Sequence, residues 1–362
     1  GPGAVFWCWL TGVFGISTKY AEALLAIKYR VRSEGGRMQG GPMYALERGL
    51  GWRKMGVLFA VFTALAAFGI GCTVQANAIS TIMHASYGIG TEVCGVVLTL
   101  LTAAVIIGGV SSISKVCSML VPLMALLYVL GCVYILQANA SYVVPALRLI
   151  VRSAFSPEAA GGGFAGGSVI MAARYGIARG LFSNESGLGS APIVAAAART
   201  KNPVRQALVS STGTFWDTVV ICALTGLVIV SSIMAYPDID YQNGAELTKV
   251  AFAKIPVVGP FILSFGLLTV AFSTILGWSY YGERAMEYLK GKRWTLAYRL
   301  LYIVAVFVGS VANLAIVWNI ADCMNALMAI PNLLSLICLN GVVVHETRKY
   351  LWRDRLDREM AE

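Results

Sequence analysis

Arg174-Tyr-Gly-Ile-Ala-Arg-Gly-Leu-Phe-Ser-Asn-Glu-Ser-Gly-Leu-Gly-Ser-Ala191 is the stretch whose reading decides the fold. Apolar sequence flanks it on both sides, in a segment at about 165–198 that is too long and too polar in its middle for one plain helix. Gly180, Gly187 and Gly189 weaken a helix there, and Ser183-Asn184-Glu185-Ser186 prefer caps to helix interiors. A continuous helix would bury these polar groups for no return, so the pattern predicts a broken one. Unwinding frees carbonyl oxygens for a small cation. The second half-helix, capped by Ser183 and Asn184, offers N–H groups to a carboxylate. At membrane depth such a break is tolerated only against protein or a wet cavity, and transporters place midplane sites there. The plainer alternative is a loop between two re-entrant structural segments.

The surrounding chain fits this setting. Its 362 residues are 57% hydrophobic and 13% charged, with a mean hydropathy of +0.72. A soluble domain carries about 25% charged residues, and one core of this size cannot hide so much apolar surface. Disordered, coiled-coil and disulfide-scaffold classes are excluded, which leaves an all-α polytopic membrane protein. A span needs roughly 20 apolar residues. Nine candidates run at about 3–28, 55–83, 91–110, 118–138, 165–198, 207–234, 258–285, 296–314 and 316–343, the last two separated by a short turn near Asn313. The eight cysteines are scattered singly without any CxxC, as packing residues are. Two histidines, His84 and His345, are too few for a metal site.

The formal net charge is +10. Alternating the spans puts 21 Lys and Arg on the side of the 28–54 loop and 4 on the other, with Lys19, Arg174 and Arg179 inside segments. Basic loops mark the cytoplasm, so the charge is topology and not a nucleic-acid signal. The expected organisation is one transmembrane domain over 1–343 and a charged cytoplasmic tail over 344–362. The first span then starts outside. Because the chain opens Gly1-Pro2-Gly3 without Met, a helix is expected ahead of it. Residues 43–50 read as a short interfacial helix. Residues 235–257, with Asp238, Asp240 and Glu246, read as an acidic outer loop.

Polar groups inside spans are costly and mark pairing or function. Lys19 and Glu22, three apart on one helix, read as a structural pair. Asp217 and Asp322 each belong to an ion path or to a helix–helix hydrogen bond. Glu283, beside Arg284 at a span end, reads as a solvated anchor. Gln75 and Asn77 lie mid-span near Gly69 and Gly71, and Gln75 faces either a neighbouring helix or a polar substrate. Ser273 and Thr274 either bond back to their own helix or complete an oxygen shell for sodium, with Trp278 and Tyr281 as gate or anchor. Phe6-Trp7 and Phe215-Trp216 lie in spans of opposite direction, a weak sign of inverted repeats.

Gly1-Pro2-Gly3-Ala4 with Phe6-Trp7, Lys19-Tyr20-Ala21-Glu22, Gly40-Gly41-Pro42-Met43-Tyr44, Arg179 to Pro192, Thr200-Lys201-Asn202-Pro203 and Gly277 to Glu283 together resemble the prokaryotic sodium:alanine symporters, also called the alanine or glycine:cation symporter family. The resemblance covers nearly the whole chain. It implies a leucine-transporter-type fold of the amino acid–polyamine–organocation superfamily, with two inverted five-helix repeats. Residues 1–160 would be the remainder of the first repeat, and 161–343 the second repeat plus the final spans. The family's first discontinuous helix, with its Gly-Thr-Gly-Asn stretch, would precede Gly1, so the chain is expected to be a fragment lacking part of the binding site.

By the same resemblance, Gln75, Gly180, Leu181, Phe182, Ser183, Asn184, Thr274 and Trp278 contact substrate. Ser273 and Thr274 lie near sodium. The implied function is sodium-coupled import of alanine or glycine by alternating access, with a proton as the alternative coupling ion and no resident cofactor. A monomer in the prokaryotic plasma (inner) membrane is implied, with a cytoplasmic C-terminus. Two rivals stand beside it. One is an intramembrane hydrolase with Ser186 or Ser190 as nucleophile, which lacks a nearby base. The other is a channel or non-transporting sensor of the same fold.

Overall fold

The computed structural model describes residues 1–33, 36–155, 169–237, 247–255, 259–312 and 315–358, without side chains for 315–322. The elements are almost all helical. In chain order they are α1 (Gly3–Lys28), a two-stranded hairpin pairing Val31–Arg32 with Met38–Gln39, α2 (Pro42–Tyr44), α3 (Arg53–Phe68), α4 (Val74–Tyr87), α5 (Thr91–Ile107), α6 (Gly109–Ala138) and α7 (Ala140–Phe155). There follow α8 (Val169–Asn184), α9 (Ala191–Ala195), α10 (Pro203–Thr214), α11 (Ala223–Ala235), α12 (Leu247–Ala253), α13 (Gly259–Lys290), α14 (Thr295–Val311), α15 (Ala315–Cys338) and α16 (Asn340–Tyr350). π-helical turns at Gly69–Thr73 and Phe215–Cys222 join α3 to α4 and α10 to α11.

Among the described residues five helices are long and apolar enough to cross a bilayer: Arg53–Tyr87, Gly109–Ala138, Pro203–Ala235, Gly259–Lys290 and Lys292–Val311. A sixth is formed if Cys323–Cys338 and Asn340–Tyr350, bent by 58°, count as one span. The chain is an all-α, multi-pass membrane protein. Of the other expected spans, α1 has the length but carries Lys19 and Glu22, and α5 is apolar but has only 17 residues. The acidic residues Asp238, Asp240 and Glu246, and the turn near Asn313, lie outside the described residues.

By contacts the chain divides into two units. The first comprises residues 1–17, 123–186 and 211–266. Glycines let backbones meet where lipid supplies no hydrophobic drive between helices. Gly176 and Gly180, one turn apart on α8, lie against Ala4 and Trp7 and against Cys8 and Thr11 of α1. The rising numbers on both helices show that they run parallel. Gly12 and Gly15 of α1 meet Thr218 and Thr214, while Gly226 meets Val5, so the chain from α10 to α11 runs antiparallel to α1. Cys132, Ile135, Val228, Phe252 and Leu263 pack as an apolar core between α6, α11, α12 and α13. Amphipathic α7, which hydropathy alone does not reveal, buries Ala146 and Ile150 against Val230.

The second unit comprises residues 18–122, 187–210 and 267–362. Here Gly56 meets Tyr288, Ala67 meets Gly282 and Gly71 meets Trp278, so the α3–α4 span runs antiparallel to α13. Tyr298 Oη donates to Ala64 O (2.9 Å) and Asn77 Nδ2 to Ala312 O (3.1 Å), fixing α14 alongside in parallel. Glu283 is not the solvated anchor expected. It is buried, accepts two bonds from Arg299 (2.6 and 2.8 Å) and pairs with Arg284, which also reaches Glu287. A buried carboxylate needs such partners. The segment expected as an interfacial helix is helical from Pro42, but Met43, Tyr44, Ala45 and Leu46 are buried in protein. The first part of the expected tail is helix α16, which buries Val343, Glu346 and Tyr350.

The α1–α8 contact makes a graded prediction. A Cβ at Gly176 meets the Ala4 backbone, whereas one at Gly180 meets the Thr11 hydroxyl, which can rotate away. Gly176→Ala is expected to destabilise by about 1–3 kcal/mol and Gly180→Ala by less. Thermal unfolding of the two variants in detergent measures the order.

Candidate functional site

The break is present, displaced along the chain from its expected position. Gly180, Leu181, Phe182 and Ser183 continue α8, and Asn184 is its last residue. Gly180 is therefore a packing glycine and not a breaker. The irregular residues are Glu185 to Ser190, with left-handed φ at Glu185 (54°), Gly187 (88°) and Gly189 (86°). Glycine adopts that region without steric cost. Asn184 Oδ1 accepts from the Ser186 N–H (2.9 Å), forming a local turn. Neither Ser183 nor Asn184 caps α9. Ser190 holds the cap position and makes no side-chain cap bond.

The N–H groups of the break do meet a carboxylate, and it belongs to the chain. Within the second unit Glu22 Oε1 accepts from Gly187 N (3.0 Å), Gly189 N (3.2 Å) and Asn332 Nδ2 (2.6 Å). The Asn332 amide also donates to Gly187 O (2.9 Å). Glu22 is 2% exposed, and its Oε2 is buried without a hydrogen-bond partner among the described residues. Lys19, also buried, acts on Glu22 through its charge, but the direct partners are backbone and amide groups. The N–H groups of Gly187 and Gly189, just ahead of α9, are thus taken by Glu22. Asn332, the residue after Pro331 in α15, was not singled out from sequence. An amide beside a proline inside a span is the signal that would have found it.

In the first unit, Ser183 Oγ donates to Asp217 Oδ2 (2.6 Å), which also accepts from Thr218 Oγ1 (3.0 Å). Ser183 Oγ lies 3.3 Å from Cys222 Sγ. Asp217 thus joins α8 to the Phe215–Cys222 turn, the helix–helix alternative. The side chain of Asp322 lies outside the described residues. Leu181 is partly exposed, and the Phe182 ring lies under the Arg179 guanidinium at 5.9 Å. Ser186 Oγ donates to Gly15 O (3.0 Å) and sits 3.5 Å from Thr214 Oγ1. Neither neighbour is a base, so Ser186 lacks what a nucleophile requires.

The remaining expected residues share one neighbourhood of the second unit. Gly71, in the Gly69–Thr73 turn, lies against Cβ and the ring of Trp278. Gln75 and Thr274 each lie four residues from that contact on their own helices, α4 and α13. Half-buried Gln75 donates from Nε2 to Ile70 O (3.2 Å), one of the carbonyls whose pairing the π turn alters. Ser273 and Thr274 donate to Val270 O (2.8 and 2.9 Å), the common fate of such hydroxyls. Their oxygens keep lone pairs for another partner.

At least five helices long and apolar enough to cross a bilayer define a multi-pass membrane protein. The model of the sodium:alanine symporter family matches residues 1–361. The sodium/alanine symporter AgcS of Methanococcus maripaludis is 49% identical over 355 residues, covering 97% of this chain and 78% of that protein. A transporter of Haemophilus influenzae is 49% identical over 361 residues, 99% of this chain and 78% of its own length. The probable sodium/glutamine symporter GlnT of Bacillus subtilis is 34% identical over 355 residues, 97% and 72% of the two chains. The chain belongs to the sodium:alanine symporter family. It is a cation-coupled amino acid symporter and not an enzyme.

The Gly71–Trp278 contact is testable. A Cβ at Gly71 meets Trp278 close to its backbone, where rotation gives no relief, whereas nothing lies within 4 Å of one at Gly277. Gly71→Ala is expected to destabilise by about 1–3 kcal/mol and to slow amino acid uptake. Gly277→Ala is expected to be neutral or to stabilise by up to about 1 kcal/mol. Melting temperature and uptake rate, read on both variants, check the contrast.

Proposed function

We propose that this protein imports alanine, or glycine, together with sodium by alternating access, on a leucine-transporter-type fold with inverted five-helix repeats. The close seating of Trp278 on Gly71 carries the size argument. On this reading Trp278 would narrow the space that Gln75 and Thr274 share, which suits a substrate with no more than a methyl side chain. Gln75 would hydrogen-bond the amino acid, and Thr274 and Trp278 would close over it. Ser273 and Thr274 would give sodium their hydroxyl oxygens. The antiparallel course of α1 and the Pro203–Ala235 helix supports the inverted arrangement. We place the protein as a monomer in a prokaryotic inner membrane with the C-terminus inside, the orientation that basic loops favour.

The second reading is glutamine, which the name of the GlnT relative suggests. Identity of 49% to AgcS against 34% to GlnT favours alanine. Labelled alanine uptake by the full chain in proteoliposomes, with and without an inward sodium gradient, decides the matter. Saturable uptake that needs the gradient is expected, competed by glycine and not by glutamine. Gln75→Ala is expected to raise KM by roughly tenfold through the lost hydrogen bond. Uptake indifferent to the sodium gradient overturns sodium coupling, and competition by glutamine overturns the small-substrate reading.

A further inference from the structure

Glu22 has no role in the scheme above, yet its position is unusual. One oxygen gathers three donors, two of them backbone N–H groups of left-handed glycines, while the other oxygen is buried and unpartnered among the described residues. Local sequence does not hold Gly187 and Gly189 in this shape, since glycine is the residue with most freedom to leave it. Nor does α9, which has five residues and no side-chain cap. What fixes the two N–H groups in space is the α1 carboxylate. Asn332 completes the tie, because one amide group donates both to Glu22 and to Gly187 O. A single oxygen thereby joins three pieces of the second unit: the α1 end, the Gly187–Gly189 backbone and α15 at its internal proline, Pro331.

We propose that Glu22 is a positioning residue for transport. Its carboxylate holds the Gly187–Gly189 backbone to α1 and α15, and the transport cycle requires that tie. Glu22 touches neither substrate nor ion in this proposal, and it acts through the segment it holds. The inference rests on the transport reading above for its functional half, while its structural half stands on the hydrogen bonds alone. The need is for an acceptor at Oε1. Gln keeps an acceptor oxygen at that position and Ala removes it. The charge matters less directly: Glu22→Gln leaves buried Lys19 without its counterpart, and pairing the change with Lys19→Met removes that imbalance.

The experiment compares the full chain with Glu22→Ala, with Glu22→Gln/Lys19→Met, with Glu22→Met/Lys19→Met and with Asn332→Ala, each matched for membrane abundance and melting temperature. Hydrogen–deuterium exchange over residues 185–191 reads the tie, and sodium-driven alanine uptake reads its consequence. In Glu22→Ala the Gly187 and Gly189 amides are expected to exchange roughly tenfold or more faster, and maximal uptake to fall by a similar factor with a smaller change in KM. Glu22→Gln/Lys19→Met is expected to recover most of both losses, and Glu22→Met/Lys19→Met, which fills similar volume without an acceptor, is not, a contrast that a general packing defect would not give. If Glu22→Ala fails to fold, the same comparison is made with Asn332→Ala, which leaves Glu22 and the glycines in place. Unchanged exchange in the variants overturns the tie. Faster exchange with unimpaired uptake overturns its role in transport. Absence of sodium-driven alanine uptake in the parent protein overturns the transport reading alone, since the exchange comparison still reports on Glu22.

Discussion

A chain that interrupts a helix inside the protein must find partners for the buried backbone groups it frees, because an unpaired one is costly. Here the partner is one oxygen of Glu22. The Gly187 and Gly189 N–H groups and the Asn332 amide all converge on it. The glycines supply the φ values, but those values are reachable in many arrangements. The carboxylate selects one. Without it the break would leave buried donors unsatisfied, a cost of about 1–3 kcal/mol for each group. The same logic recurs where α9 ends. Arg30 donates to Ala196 O (3.3 Å), Ala198 O (2.8 Å) and Thr200 O (2.8 Å), satisfying carbonyls of the irregular chain just past the helix.

Side-chain charges in the second unit work in this manner elsewhere. Lys28 reaches Glu346 of α16 at 2.7 Å, Tyr20 meets Thr347 at 2.9 Å, and Asn202 donates to the carbonyls of Leu356 and Arg358. The residues after α15 are thereby held to α1 and to the start of α10. Beneath these bonds Leu24, Val204, Leu339, Val343 and Tyr350 form an apolar core. Read by charge alone, the segment after 343 is a solvated tail. Read by period, Val343, Glu346 and Tyr350 share one helical face, and the buried glutamate is tolerated because a lysine comes to meet it.

The broad architecture was legible because hydropathy integrates over twenty residues and tolerates local error. The membrane class and the main apolar helices follow from such sums, while the break follows from the local run of glycines and capping residues. Helices that fail the sum were lost: α7 is amphipathic, and α16 is polar by composition. The break itself was misplaced by about one turn for an instructive reason. Gly180 looks like a breaker in isolation, yet it sits four residues from Gly176, and that spacing lets α8 close on α1. Intrinsic helix propensity costs a glycine about 1 kcal/mol, which a close interhelical contact readily offsets. The helix ends only at Asn184, and the left-handed backbone runs through Glu185, Gly187 and Gly189.

Site residues divide along a similar line. Gln75 and Thr274 were singled out because polar groups mid-span are expensive, and no knowledge of the fold was needed for that. Which helices run beside them could not be read, since that depends on the antiparallel register set by Gly56, Ala67 and Gly71 against Tyr288, Gly282 and Trp278. Glu22 and Lys19 were read as each other's partners because sequence shows only neighbours three and four residues away. The true partners of Glu22 lie 165, 167 and 310 positions distant. A buried charge announces that a partner exists, but the electrostatic cost is the same whichever group meets it. Choosing among candidates is a matter of topology, and a local pair is the default only until the fold brings better donors. In this chain it brought two backbone amides that had lost their helix and needed an acceptor as much as the carboxylate needed donors.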